Sequence, residues 1–224
     1  ISLKMEFMRD LRKVIVPVIF VTGAFCVIVL GQSDLGTATI IFLSAVTMFF
    51  VGGARLRHVS GVLFLALIAF AGATLSSSYR LKRFIAYLNP WIDSKGVGFH
   101  IIQSYIAIGS GGLMGTGLGG SRQKFLYLPE QYTDFIFAIL CEEIGFIGAG
   151  AVIIMFFIFI SRGLRIARSC SDNFGKMLAY GITSYIGIQA LVNMSVVIGL
   201  IPTTGIPLPF ISYGGTSLIV MMFA

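Results

Sequence analysis

Long apolar stretches dominate this sequence and restrict what it can fold into. A helix needs about 20 apolar residues to cross the hydrocarbon core of a bilayer, or about 17 at the short end. Only 11% of the 224 residues are charged, against roughly 25% in soluble domains. The sequence therefore predicts an all-α, polytopic membrane protein with about six spans. We place these spans at residues 14–30, 37–51, 59–75, 134–161, 177–200 and 209–224.

Basic residues in the short loops predict how the spans are oriented. Loops rich in lysine and arginine lie on the cytoplasmic side of a membrane protein. Alternating spans bring ten basic residues to one side: Lys4, Arg9, Arg12, Lys13, Arg55, Arg57, Arg162, Arg165, Arg168 and Lys176. We therefore expect a cytoplasmic start and a large, structured extracytoplasmic loop over residues 76–133.

This outer loop carries more positive charge than the orientation rule predicts. Its cations are Arg80, Lys82, Arg83, Lys95, Arg122 and Lys124, against only Asp93 and Glu130. Either a long loop tolerates the charge, or the cations hold an anionic ligand such as a phosphate or pyrophosphate at headgroup level. Because the basic residues divide between two faces of a membrane, they do not indicate nucleic acid.

The loop has features of a folded structure. Residues 79–88 (YRLKRFIAYL) and 99–108 (FHIIQSYIAI) are amphipathic and predict short interfacial helices. The glycine-rich residues 111–120 (GGLMGTGLGG) permit tight turns and close backbone approach. They do not match a nucleotide-binding fingerprint.

Three acidic residues fall in or beside the fourth span. Asp134 lies at its outer mouth, where it is either an ordinary helix-start residue or a general base beside the cationic loop. Glu142 lies roughly 12 Å deeper on the same helix, where an ionisable group is functional or paired. Glu142 is about 80° and Glu143 about 180° around the helix from Asp134. We therefore expect Glu142 to face the cavity and Glu143 to pair with a neighbouring helix.

Residues 201–216 (IPTTGIPLPFISYGGT) contain three prolines and three glycines and cannot form a continuous helix. Broken backbone at membrane depth occurs only where it is buried in protein or lines a cavity. The segment is either the wall of an active cavity, with hydroxyls from Thr203, Thr204, Ser212 and Tyr213, or a simple re-entrant turn.

Motifs along nearly the whole chain resemble the SEDS proteins (shape, elongation, division and sporulation), and FtsW and SpoVE more than RodA. FtsW is the best match. The resemblance implies a ten-span fold, of which this chain corresponds to spans five to ten, without the N-terminal spans. The matching stretches are residues 32–37 (QSDLGT), 79–91 (YRLKRFIAYLNPW), 103–120, 121–129 (SRQKFLYLP), 130–145 (EQYTDFIFAILCEEIG), 189–193 (QALVN) and 202–217 (PTTGIPLPFISYGGTS).

The resemblance implies a peptidoglycan glycosyltransferase that polymerises lipid II, with release of undecaprenyl pyrophosphate, in septal wall synthesis during cell division. The essential aspartate of the family corresponds to Asp134 through the match TDFIFA. Arg80, Arg83 and Lys124 would hold the pyrophosphate. Gln123, Glu142, Ser212 and Tyr213 complete the expected substrate-binding set. The alternatives are a lipid II flippase and a non-catalytic division scaffold.

The resemblance also implies a place in the bacterial inner membrane at the septum and partners there, namely a class B penicillin-binding protein and other division proteins. The sequence requires no cofactor, although a divalent cation, Mg²⁺ or Mn²⁺, would be able to bridge the pyrophosphate and the loop. We predict no metal site, because the three cysteines are scattered and form no ligand spacing.

Overall fold

The computed structural model describes residues 16–124, 129 and 132–223, and every regular element within them is helical. The all-α prediction is therefore confirmed. A 3₁₀ turn at Pro90–Asp93 separates the fourth and fifth of eight α-helices in this part of the chain. The helices are α1 (Val16–Gly31), α2 (Leu35–Val51), α3 (Leu56–Leu75), α4 (Ser78–Leu88), α5 (Phe99–Gly111), α6 (Ile136–Ser169), α7 (Asn173–Val197) and α8 (Gly215–Phe223).

The helices overlap the stretches that we expected to cross the membrane. By length and composition, α3 and α6 are sufficient to span a bilayer, while α1 and α2 are shorter apolar helices. The last expected span, residues 209–224, is shorter as a helix, because α8 begins only at Gly215 and residues 198–214 are not helical. The number of spans stays a prediction. The two short helices predicted at residues 79–88 and 99–108 are present as α4 and α5, and their place at the membrane interface stays a prediction.

The chain divides into two compact units, the first being Ile1–Ala73 with Ile158–Ile188. In this unit α2 starts at a side-chain cap, where the Thr37 N–H donates to Asp34 Oδ1 (2.9 Å). The helices α1, α2 and α3 surround a cavity of about 500 Å³ whose lining is almost wholly apolar. The described lining contains no charged side chain, so this cavity suits hydrocarbon and not proton transfer.

The second unit comprises Thr74–Phe157 and Gln189–Ala224 and contains every residue predicted for the site. Its core joins the end of α5, the start of α6, the end of α7 and the non-helical residues 198–214. The buried side chains at this junction include Ala107, Phe135, Ala138, Val197 and Leu208. The packing of these elements determines where Asp134 lies.

The fourth expected span, residues 134–161, contains a break that the sequence analysis did not predict. The backbone of α6 leaves the helical conformation at Gly145 (φ 67°, ψ −172°), a conformation that is essentially restricted to glycine. At this break the glycine-rich loop forms four backbone hydrogen bonds with α6. These run from Thr116 N to Glu142 O (2.9 Å), Gly117 N to Glu143 O (3.0 Å), Phe146 N to Gly112 O (2.9 Å) and Ile147 N to Leu113 O (3.2 Å).

We call this arrangement of residues 112–117 against residues 142–147 the loop insertion. The loop insertion provides hydrogen-bond partners for the carbonyl and amide groups of α6 at the break. Such partners are required because an unpaired backbone group in apolar surroundings is costly. The loop insertion also requires glycine at the contact. A Cβ on Gly115 would lie 2.2 Å from the Glu143 carbonyl oxygen, and a Cβ on Gly145 would lie 2.3 Å from the Gly115 nitrogen.

Candidate functional site

Asp134 lies two residues before the start of α6, and its side chain is half-buried. The carboxylate faces Gly205 in the non-helical segment, since a Cβ on Gly205 would lie 3.5 Å from Asp134 Oδ2. Gly205 is exposed and has a positive φ of 75°. The carboxylate therefore lies next to an exposed glycine within residues 198–214.

The backbone around Asp134 is held in place by hydrogen bonds to three consecutive carbonyl groups, those of residues 132–134. We call the donors, which are Asn193, Ser212 and the N–H of Tyr213, the Asp134 clamp. Because all three bonds are between 2.6 and 2.7 Å long, the peptide units around Asp134 are fixed to α7 and to residues 212–213. The bonds are Tyr213 N to Tyr132 O (2.7 Å), Ser212 Oγ to Thr133 O (2.6 Å) and Asn193 Nδ2 to Asp134 O (2.7 Å).

Two amide side chains of α7 hold the proline-rich segment itself. Gln189 and Asn193 are four residues apart and so project from one face of the helix. Gln189 Nε2 donates to the Pro207 carbonyl (2.9 Å), and Asn193 Nδ2 donates to the Ile206 carbonyl (2.7 Å). The sequence analysis matched these residues as part of QALVN but gave them no role. The available signal was a pair of amides one turn apart on an otherwise apolar helix.

Arg83 of α4 lies against the same segment. Its Nη1 donates to the Thr203 carbonyl (3.3 Å), its Nη2 donates to the Tyr79 hydroxyl, and its guanidinium carbon lies 4.6 Å from the centre of the Tyr79 ring. Tyr87, one turn later, donates to the Leu200 carbonyl (2.9 Å). Arg83 and Asp134 therefore contact the segment within two residues of each other. Arg80 lies three residues before Arg83 on α4 and is half-buried.

Glu142 does not face a substrate cavity as we expected. Its side chain is 1% exposed, and its carboxylate accepts hydrogen bonds from Ser121 Oγ, from Arg122 N (3.0 Å) and from Gln123 N (3.3 Å). A buried carboxylate requires such donors, and the loop after the glycine run supplies them. Glu142 thus fixes residues 121–123 to α6.

Gln123 and Lys124 belong to this second group of contacts. Lys124 Nζ lies 2.9 Å from Glu143 Oε1, and the two side chains are 19% and 13% exposed. Glu143 was expected to pair with a neighbouring helix, but it pairs with the loop, because the loop insertion brings Lys124 beside it. The Gln123 side chain is buried, and its Oε1 has no hydrogen-bond partner among the described residues.

Two of the four predicted hydroxyl residues of the non-helical segment, Ser212 and Tyr213, have different surroundings. Ser212 uses its hydroxyl within the protein, where it accepts from Leu208 N (2.6 Å) and donates to Thr133 O. The Tyr213 side chain is 82% exposed, and only its backbone N–H takes part in the clamp. Ser212 therefore shapes the site, while the Tyr213 ring is accessible from outside.

The predicted residues thus form two groups. Arg83, Asp134, Ser212 and Tyr213 lie along residues 198–214, while Gln123, Lys124 and Glu142 lie at the loop insertion. In the part of the chain that the structure describes, no three histidine, cysteine, aspartate or glutamate side chains are grouped as metal ligands would be.

Comparison with known proteins places this arrangement in a family. Residues 2–224 match the FtsW, RodA and SpoVE family, described as cell cycle proteins. The stage V sporulation protein E of Bacillus subtilis is 49% identical over 224 residues, which are 100% of this chain and 61% of that protein. A probable peptidoglycan glycosyltransferase FtsW of Geobacter metallireducens is 46% identical over 208 residues, 93% of this chain and 56% of that protein. The chain thus spans about three fifths of the length of these relatives.

Solved structures show the same fold. A chain of a peptidoglycan synthase complex, described as coordinating polymerization and crosslinking, superposes with a TM-score of 0.77 at 29% identity over 99% of this chain and 62% of that chain. The rod shape determining protein RodA of Thermus thermophilus superposes with a TM-score of 0.62 at 24% identity over 97% of this chain and 57% of that chain, which supports the fold alone. The chain is a polytopic, all-α membrane protein that belongs to the FtsW, RodA and SpoVE family.

Proposed function

We propose that this protein is a peptidoglycan glycosyltransferase that polymerises lipid II, with Asp134 as the general base. The observation that carries the proposal is the surroundings of Asp134. Its backbone is fixed by the Asp134 clamp, while its half-buried carboxylate faces the exposed Gly205. Relatives named as probable peptidoglycan glycosyltransferases support the reaction class.

In the proposed reaction Asp134 accepts the proton of the 4-hydroxyl on the acceptor sugar. The oxygen then forms a bond to the anomeric carbon of the donor from the opposite face, and the bond from that carbon to undecaprenyl pyrophosphate breaks. The pyrophosphate leaves with the electron pair, and Asp134 later releases its proton to water. A carboxylate base within hydrogen-bond reach contributes typically about 10²–10⁴-fold.

Arg83 is the proposed partner of the departing pyrophosphate. Its guanidinium is already oriented by the Thr203 carbonyl and by Tyr79, so it would hold the pyrophosphate of lipid II in the bound state as well as during departure. Arg80, on the same helix, would add a second cation. Lys124 would contribute less positive charge to pyrophosphate than Arg83, because it already forms an ion pair with Glu143.

We further propose that the protein acts in the inner membrane at the division septum with a class B penicillin-binding protein. The relatives named FtsW and the similarity to a chain of a peptidoglycan synthase complex support this assignment. A divalent cation remains a variable for the assay, in which Mg²⁺, Mn²⁺ and a chelator should be compared.

The test is glycan formation from purified lipid II by the complete protein in detergent, with and without the penicillin-binding partner. The wild type is expected to form polymer, and folded Asp134→Asn protein is expected to lose about 10²–10⁴-fold in rate. Wild-type activity in that variant would overturn the assignment of the base. A wild type that makes no polymer under either condition, but moves lipid II across proteoliposomes, would establish transport instead.

A further inference from the structure

We infer that Asn193 is a positioning residue, which holds the Asp134 backbone at a fixed separation from the segment that its carboxylate faces. The inference rests on the proposed function and adds a residue to it. Asn193 is not a catalytic residue in this account, since its contacts are to two backbone carbonyls of the protein.

The contacts of the Asn193 amide carry the argument. Its Nδ2 donates to the Asp134 carbonyl and to the Ile206 carbonyl, each at 2.7 Å. An amide nitrogen has two hydrogens, so both are committed. One carbonyl belongs to the proposed base, and the other belongs to the residue directly after Gly205, which Asp134 Oδ2 faces. A single side chain thereby fixes the distance between the Asp134 backbone and residues 205–206, which lie on opposite sides of the candidate site.

Burial supports a specific role for this amide. Asn193 is 1% exposed, and its Oδ1 makes no hydrogen bond to any described residue. A buried carbonyl oxygen without a donor is unfavourable, and an apolar side chain would fill similar space without that disadvantage. The amide is therefore explained by its two N–H bonds. The opposite orientation would direct an oxygen at two carbonyl oxygens.

Gln189 offers a matched control one turn earlier on the same face of α7. It is also buried, its Nε2 holds the adjacent Pro207 carbonyl, and its Oε1 likewise has no partner among the described residues. None of the hydrogen bonds described for Gln189 reaches residues 132–134. Removing Gln189 loosens the non-helical segment alone, whereas removing Asn193 also frees the Asp134 peptide.

The expected consequence is a loss of rate without a loss of substrate affinity. A displacement of about 1 Å at a reacting group is sufficient to lower a rate about 10²-fold. We expect Asn193→Ala to lower kcat for lipid II polymerisation about 10- to 100-fold, because the carboxylate moves relative to the acceptor. KM for lipid II should stay within about threefold, because the cations that bind pyrophosphate are not altered.

The experiment measures kcat, KM and thermal unfolding of the complete protein for Asn193→Ala, Asn193→Asp and Gln189→Ala. Asn193→Asp keeps the size of the side chain but removes the N–H donors. Both Asn193 variants should lose kcat about 10- to 100-fold. Gln189→Ala should keep kcat within about threefold of wild type and should unfold at a temperature similar to that of the Asn193 variants.

Equal losses of kcat in Gln189→Ala and Asn193→Ala would overturn the inference, as would a loss confined to KM. Failure of both Asn193 variants to fold, with Gln189→Ala folded, would overturn it too and would make Asn193 a residue of stability alone. Asp134→Asn in the same assay separates the two proposals. If that variant is inactive and Asn193→Ala resembles Gln189→Ala, only the positioning role fails.

Discussion

Asp134 and Glu142 are eight residues apart in the chain, and their surroundings differ in almost every respect. Around Asp134 the protein holds the backbone, with three donors on consecutive carbonyls, and leaves the carboxylate facing an exposed glycine. Around Glu142 it holds the side chain, which is 1% exposed and accepts three hydrogen bonds from the loop. A buried carboxylate that accepts from three fixed donors stabilises the fold, whereas the half-buried Asp134 carboxylate lies beside an exposed glycine, and we assign the chemistry to it.

The two regions also differ in how the hydrogen bonds of their non-helical backbone are satisfied. At the loop insertion, backbone groups of the glycine-rich loop form hydrogen bonds with backbone groups of α6, and a Cβ would collide with backbone there. Residues 198–214 are instead held by the side chains of Gln189, Asn193 and Arg83. The first region should therefore be sensitive to glycine replacement and the second to the loss of particular side-chain donors.

Replacing Gly145 with alanine should have the largest effect on stability. The substitution needs a positive φ and places a Cβ 2.3 Å from the Gly115 nitrogen, so we expect a loss of about 3 kcal/mol or more. Thermal unfolding of the protein in detergent measures it. The control is Gly150→Ala on the same helix, where a Cβ meets no atom within 4 Å and where alanine should be neutral or stabilise by about 0.5–1 kcal/mol. Equal unfolding temperatures for the two variants would contradict the loop insertion.

Replacing Glu142 with glutamine should have the next largest effect. The variant places an NH₂ group against donors of residues 121–123, and we expect a loss of about 1–3 kcal/mol. Glu143→Gln is the matched comparison. It weakens the ion pair with Lys124 and the hydrogen bonds from the backbone of Gly119 and Ser121. Because Glu143 is less buried than Glu142, the change should cost about 1 kcal/mol or less. Unfolding measurements on both variants test which substitution destabilises the protein more. A larger loss of stability in Glu143→Gln would reverse the roles assigned to the two glutamates.

Replacing Arg83 with lysine should have the smallest effect of the three, and it should appear in binding. Lysine keeps the charge but loses the planar fork that contacts Thr203 and Tyr79. We expect KM for lipid II to rise about tenfold, equivalent to about 1.4 kcal/mol. Lys82→Ala on the exposed side of α4 serves as the control and should leave KM unchanged. An equal rise in both variants would mean that only the total charge of the loop matters.

Sequence reasoning succeeded where the signal was local. Span-length apolar stretches predicted an all-α membrane protein, amphipathic stretches predicted α4 and α5, and the prolines and glycines of residues 201–216 predicted broken backbone. The role of Asp134, suggested by its place at a helix mouth and selected by the family resemblance, stays a prediction. Each of these features depends on residues that are close together in the chain.

The errors all concern contacts between residues that are far apart in the chain. Helical periodicity placed Glu142 toward a cavity, but donors about 20 residues earlier in the chain occupy it. The ion pair of Lys124 with Glu143 spans 19 residues, and the bond from Asn193 to Asp134 spans 59. Periodicity within one helix carries no information about such partners. The unusual backbone conformation of Gly145 was not predicted for the same reason, because it is stabilised by a loop about 30 residues earlier in the chain that packs against it.

The most direct test of the central claim compares Asp134→Asn with Glu142→Gln in one lipid II polymerisation assay, with rates expressed per folded molecule. Asp134→Asn should unfold at nearly the wild-type temperature and lose about 10²–10⁴-fold in rate. Glu142→Gln should unfold at a lower temperature and retain a rate within about tenfold of wild type. A folded Asp134→Asn protein that polymerises at the wild-type rate would contradict the account, and so would a Glu142→Gln protein of unchanged stability with an equally large loss of rate.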